Sequence, residues 1–302
     1  MIGLSLARLD GSDLQEAADC FRHFQERYPL ASCEIHTERS LFPTALTLGN
    51  DRSIAVCRKL RQSVAILGLH LPFMDLNPVS GNPRVVKMSL EVLEEAMDAG
   101  VDIEADFVVF HARGRHPSGD RLLEMSRWRE VLTDLGQRAA ARNLRFCLEN
   151  ADNLRRPSEV RELAEAAGID ICLDIGHLFE RIYDDPTWTL ARRAAARIQD
   201  IFSPRPFLLK SNLPAAETGG IDGLIGTLGK RIHCVHLHNH NGRHAHRPLS
   251  EGTVPWRRLA GHAGLTRDIP ILLEADYRGR SSDCLERDLR LLTGLAREVG
   301  AQ

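Results

Sequence analysis

With 302 residues, 43% of them hydrophobic, the chain can bury a sizeable core as one large domain or two small ones. A formal net charge of -2 gives no whole-molecule field that would draw it to nucleic acid or an anionic membrane. No apolar run reaches membrane-spanning length, the opening MIGLSLARLDGSD is too short for a signal segment, and the 7 cysteines contain no CxxC pair, so a soluble, cytoplasmic protein without disulfides is expected.

In chain order, short runs rich in Ile, Leu and Val alternate with stretches of helical periodicity. IGLSLA from Ile2 precedes the helical SDLQEAADCFRHFQERY; SCEIHT from Ser32 follows, then VAILGLH from Val64 and the helix PRVVKMSLEVLEEAMDAG, expected to end at Gly100. FVVFH from Phe107 leads to DRLLEMSRWREVLTDLGQRAAARN, capped by Asp120. LRFCLEN from Leu144 leads to SEVRELAEAAG, capped by Ser158 and ended by Gly168. The remaining runs are IDICLDIGH from Ile169, IHCVHLHN from Ile232 and IPILLEAD from Ile269. Eight such units imply parallel strands with right-handed crossovers. A closed (β/α)8 barrel, one domain over residues 1–302, uses all of them, and an open doubly wound sheet is the alternative. Residues 178–230 are too long for a simple crossover. PTWTLARRAAARIQD reads as helix, but SPRPFLLKSNLPAAETGGIDG reads as an insertion in the sixth unit, either a lid over the active face or an irregular surface excursion.

The strands of such a barrel converge at their C-terminal ends, so ligands wanted at one point belong at the ends of several runs. From the third run onward those ends carry His70, His111, Glu149, Asp174 with His177, His236, and Glu274. A lone strand-end His or Glu is usually a cap or a solvated residue. Six consecutive ends converging on one space would be costly to desolvate unless a divalent cation partners them. Cys147, Cys172 and Cys234 share the parity of Glu149, Asp174 and His236 and are expected one layer deeper, as apolar filling. In HLHNHNGRHAH, residues 236–246, His236 continues its strand. His244 and His246 can face one point if the loop is extended, and His238 and His240 are doubtful members of the site.

The candidate ligands are therefore His70, His111, Glu149, Asp174, His177, His236, His244, His246 and Glu274, more than one ion needs. One to three divalent transition ions follow, zinc, manganese or iron, with Glu149 or Glu274 as bridge. Clustered ions suit displacement at phosphorus. A single ion with two glutamates suits proton transfer beside a sugar carbonyl. Arginines recur in loops after the strand ends, as Arg113, Arg115, Arg155, Arg156, Arg243, Arg247, Arg278 and Arg280, although this arginine-rich chain would place some there regardless.

These motifs, HLPFMDLNP, VFHARGRH, LENADN, LDIGH, VHLHN, HAHRPLSEG and LLEAD, stand in the order found in the xylose isomerase-like TIM barrels, also called AP endonuclease family 2, which the chain resembles over nearly its whole length. The set is most similar to endonuclease IV, whose trinuclear zinc site uses His, His, Glu, Asp, His, His, Asp, His and Glu. That resemblance implies His70, His111, Glu149, Asp174, His177, His236, His246 and Glu274 as ligands and puts zinc first among the ions. His244 departs from it, standing where the family has Asp in an Asp-x-His pair and removing a negative charge. The stretch HNHNGRHAHRPLSEGTVPW also resembles a pattern of sugar phosphate isomerase-like members, which points the other way.

The leading expectation is a metal-dependent hydrolase of phosphoesters, in which Glu149 and Glu274 are catalytic and Arg113, Arg243, Arg247 and Phe73 bind substrate. The alternative is a sugar or sugar-phosphate isomerase or epimerase using a single divalent metal. A metal- or ligand-binding barrel without turnover ranks third. The expected substrate is a small phosphorylated or sugar-like molecule. DNA is less favoured: Arg39, Phe73 and Met74 could wedge beside a flipped nucleotide, but no basic tract with interleaved aromatics accompanies them.

Overall fold

The computed structural model describes the whole chain except residues 152–153, 155–156, 178–219, 241–243, 253, 263–268 and 301–302. Eight parallel strands close into a barrel in sequence order: β1 (Ile2–Ser5), β2 (Leu30–His36), β3 (Ile66–His70), β4 (Phe107–His111), β5 (Arg145–Glu149), β6 (Asp170–Asp174), β7 (Ile232–Leu237) and β8 (Ile271–Leu273). Closure is direct, with Leu4 of β1 in register with Leu273 of β8. Among the described residues the α-helices are α1 (Leu14–Gln25), α2 (Asp51–Arg61), α3 (Pro83–Asp102), α4 (Arg121–Ala141), α5 (Pro157–Ala167), α6 (Gly220–Leu228) and α7 (Ser282–Gly300). None is long and apolar enough to cross a membrane.

The helices start where side chains can satisfy the free backbone N–H groups of a first turn. Asp13 caps α1 through Glu16 N, Asn50 caps α2 through Ser53 N, and Asp120 caps α4 through Leu122 N and Leu123 N. Ser158 lies inside the first turn of α5, not ahead of it, because Pro157 already supplies the fixed φ and missing N–H suited to that position. Gly100 does not end α3, which runs on to Asp102. A Cβ on Gly100 would sit 3.3 Å from Leu69 and 3.4 Å from Leu144, so its bare backbone lets the helix press onto the sheet. The long sixth unit predicted over 178–230 falls mostly outside the described residues, and its described end forms α6.

Strand alternation divides the core in two. Outward residues such as Leu67, Leu69, Val108, Leu148, Leu173 and Val235 pack under the helices in the main cluster. Inward residues fill the barrel in layers: Phe107, Val109, Cys147, Cys172, Cys234 and Leu272 form a separate buried cluster. One two-residue step further along their strands stand His111, Glu149, Asp174, His236 and Glu274. The apolar floor thus ends where the polar mouth begins.

Candidate metal centre

Every inward position at the mouth from β2 to β8 carries a donor. His36 and His70 end β2 and β3 in register, and their rings stack at 4.3 Å. His111 pairs with Glu149 across β4 and β5, and Asp174 with His236 across β6 and β7. Beyond β8, Glu274 donates its backbone N–H to Leu237 O at 3.0 Å. Glu34, Glu149, Asp174 and Glu274 are all buried, as are His36, His70, His111, His236 and His238. Such burial of unlike polar groups is stable only if each finds a partner.

Several close approaches converge on one carboxylate. His70 Nε2 lies 3.2 Å from His111 Nε2, His111 Nε2 lies 2.9 Å from Glu149 Oε2, and His70 Nε2 lies 3.5 Å from the same oxygen. On the far side of Glu149, the Nδ1 of His236 is 3.2 Å from Glu149 Oε2 and 3.2 Å from Glu274 Oε2. Both Glu149 oxygens and His236 Nδ1 nonetheless lack a hydrogen bond of acceptable geometry. Donor atoms at contact distance but off-line from each other's protons are aimed at shared points. Ligands about 2.0–2.1 Å from a tetrahedral ion are separated by roughly 3.3 Å, and His70, His111 and Glu149 stand 2.9–3.5 Å apart, close to that spacing. The residues present therefore fit divalent transition ions.

Hydrogen bonding fixes which ring nitrogens are free. His70 Nδ1 donates to Leu71 O at 3.0 Å, leaving the Nε2 lone pair for the mouth. His236 Nε2 donates to Glu34 Oε2 at 2.9 Å, which turns Nδ1 toward Glu149 and Glu274. His238 is different. Its Nδ1 accepts the His246 backbone N–H at 3.0 Å and also lies 3.2 Å from Asn239 O, but a carboxylate is the stronger acceptor, which puts the proton on Nε2, donated to Asp174 Oδ2 at 3.1 Å. That ring orients Asp174 and has no lone pair left to offer, although its distances alone group it with His177 and His246.

Electrostatics agree with a surplus of negative charge. Burial would raise Glu34, but His236 and His36 hold it down to about 2. Glu149 and Glu274 are likewise held well below the usual carboxylate range against burial, by His111 and His236 and by His236, His246 and Arg8 respectively. Burial, with the neighbouring His70, pushes His36 down to about 4, and burial with Arg8 and His238 keeps His246 well below its usual value. His236 is held up against burial by Cys172, Glu34, Glu274 and Glu149. Four buried carboxylates thus face few fixed cations, chiefly Arg8.

The histidine tract resolves into a pinned loop. Asn239 and Arg247 form an isolated antiparallel bridge, setting His238 and His246 side by side with ring centroids 4.1 Å apart. The Asn239 side chain accepts from His240 N and Val254 N and donates to Leu249 O, stapling the loop base. His244 lies exposed on the excursion, outside the donor groups that gather at the mouth. His177 follows β6 and places Nε2 3.8 Å from Glu149 Oε1 and 3.9 Å from Asp174 Oδ2.

Around the centre opens a cavity of about 280 Å³ whose lining includes Arg8, Phe42, Phe73, Arg113 and Arg278. Phe73 stacks on His111 at 4.6 Å, and Glu38 accepts from the backbone N–H groups of Phe73 and Met74 to hold that loop. Arg113 touches Met74 Sδ and the Phe73 face but forms no carboxylate ion pair among the described residues. Arg278 is already clasped by both oxygens of Asp276. Arg247 pairs with Glu251 away from the cavity, Arg39 is tied to Pro43 O and Ala45 O, and Arg243, Arg155 and Arg156 lie outside the described residues.

Sequence reasoning did not single out Glu34, His36, Arg8 or the role of His238. The first two were readable from parity in SCEIHT, since Glu34 and His36 alternate inward. Arg8 follows β1 in a short turn with no spacing to mark it. Cys172 is closer to the centre than one full layer: its sulfur lies within 4.8 Å of donor atoms of Glu149 and His236. Burial raises its thiol.

Residues 32–295 match the family model of the xylose isomerase-like TIM barrel. A probable endonuclease 4 from Mycobacterium ulcerans is 24% identical over 284 residues, 86% of this chain and 94% of that one. The chain spans only 47% of an uncharacterized protein of Methanocaldococcus jannaschii that it matches at 28% identity. Two solved structures share the fold: a D-tagatose 3-epimerase-like protein (TM-score 0.66, 21% identity, 99% and 98% of the two chains) and endonuclease IV from Thermus thermophilus (TM-score 0.64, 18% identity, 98% and 99%).

Proposed function

The chain belongs to the xylose isomerase-like TIM barrel family, and from that premise we propose that it is a metal-dependent hydrolase of phosphoesters whose ions are joined through Glu149. The observation that carries this reading is the single oxygen, Glu149 Oε2, shared by His70 and His111 on one side and His236 on the other. His70, His111 and Glu149 would hold one ion, and Glu149 and Asp174 with His177 a second, with His236 and Glu274 adjoining. Such ions would lower the pKa of a water and clamp the attacking and leaving oxygens of a displacement at phosphorus. The chain's own groups complete the site. Arg113 offers its guanidinium to an anionic oxygen, Phe73 walls the cavity, and Glu34 and His238 keep His236 and Asp174 oriented.

The test is turnover by the zinc- or manganese-loaded protein. Simple phosphodiesters and abasic-site DNA are assayed beside ketose interconversion, and Glu149→Gln is expected to abolish hydrolysis while the fold survives. Ketose interconversion without any phosphoester cleavage would refute the reading. A second reading, a single-ion sugar or sugar-phosphate isomerase or epimerase, is favoured by one observation: Glu149 and Glu274 stand equally close to His236 Nδ1, at 3.2 Å, so one ion could collect both carboxylates. One exchangeable ion per chain would point there.

A further inference from the structure

The arginine that follows the first strand contacts two side chains that the ligand pattern assigns to a metal, His246 and Glu274. Arg8 leaves β1 in a short turn and its backbone O accepts from Tyr277 N at 2.9 Å, which fastens it beside Glu274. Its Nη2 donates to His246 Nε2 at 3.0 Å and to Glu274 Oε1 at 3.2 Å. His246 Nδ1 is committed to Glu274 O at 3.1 Å, so Nε2 carries that ring's one lone pair. A lone pair accepting a guanidinium N–H cannot also bind an ion.

We propose that the guanidinium of Arg8 stands permanently at the outer cation position, so that the centre takes two ions and not three. This rests on the multinuclear reading of the centre given above. The other donors needed for an outer ion are also missing: His244 lies exposed on the loop, and the lone pair of His238 is spent on His246 N. Among the described residues, only His177 remains on that side. Arg8 is also hard to displace, because its side chain is 13% exposed and its guanidinium lies 4.8 Å from the Phe42 ring centre. An organic cation there supplies positive charge that neither exchanges nor depends on metal supply. Its described contacts use only Nη2, so Nη1 is left for a substrate oxygen in the cavity that Arg8 lines. His246 is thereby reassigned from ligand to positioning residue for Arg8.

Elemental analysis of the full-length protein, loaded with zinc and freed of loose ions, tests this without any substrate. Wild type is expected to retain two ions per chain, and His246→Ala to retain the same two. Arg8→Gln, which frees His246 Nε2 and Glu274 Oε1 together beside His177, is expected to retain three. Three ions in wild type, or loss of one ion in His246→Ala, would overturn the assignment of Arg8 while leaving the multinuclear centre intact. One ion or none in wild type overturns both. The wild-type and His246→Ala results decide the matter even if Arg8→Gln fails to fold.

Discussion

A Cβ placed on Gly176 would lie 1.9 Å from the His238 ring. No side chain fits there unless that ring moves, and the ring helps hold the Asp174 carboxylate through Nε2, beside the His177 backbone N–H on the other oxygen. Gly176→Ala should therefore leave the barrel folded but lower metal affinity by about 10- to 100-fold, the usual cost of losing an outer partner of a ligand. A chelator competition titration measures it, and unchanged affinity would show that His238 does not position Asp174. The same residues show what sequence alone can tell. His70, His111, Glu149, Asp174, His236 and Glu274 were legible because each closes an apolar run, a one-dimensional mark. The roles of His238 and Arg8 were not, because a tautomer depends on a backbone N–H eight residues away and a guanidinium contact on residues 238 and 266 positions distant.

At the level of strands, alternation carries both the fold and the site. The step that takes Cys147 to Glu149, Cys172 to Asp174 and Cys234 to His236 moves from a dry interior to a polar rim, and the period of two makes that step visible in the text of each strand. Helices were less legible: α2 and α7 were not among the clearest periodic segments, and α3 overran Gly100 because packing against Leu69 and Leu144 outweighed the residue's helix-breaking tendency. The cysteine layer gives this scale its own prediction. Cys172 is fully buried and packs in the apolar layer beneath Glu149 and His236, so Cys172→Ala should cost about 1 kcal/mol of stability and leave the retained ions unchanged. Denaturant melts and elemental analysis of the same preparation check both halves, and loss of an ion would make the sulfur a ligand.

Across the whole molecule, eight strands deliver their polar ends to one face, and the fold must tolerate that concentration of titrating groups before any ion arrives. His36 is pushed down to about 4 from 6.5, and His246 is lowered as well, both chiefly by burial. Unfolded chain takes up protons on these rings near its ordinary histidine value, while the folded protein refuses them until the pH is much lower. Stability is consequently lost as pH falls through that window, about 3 kcal/mol for His36 alone. Glu34, held at about 2 against an ordinary 4.5, adds loss in the same direction at lower pH. The raised His236 does not offset it, since its contribution is complete below its unfolded value and fades only as pH rises through its folded one. Metal-free protein should therefore melt roughly 5–10 °C lower at about pH 4.5 than at about pH 7. In His36→Gln, which removes one of the two reluctant rings, that acid loss should shrink. A melting temperature flat across this range would mean that the mouth does not hold its histidines neutral.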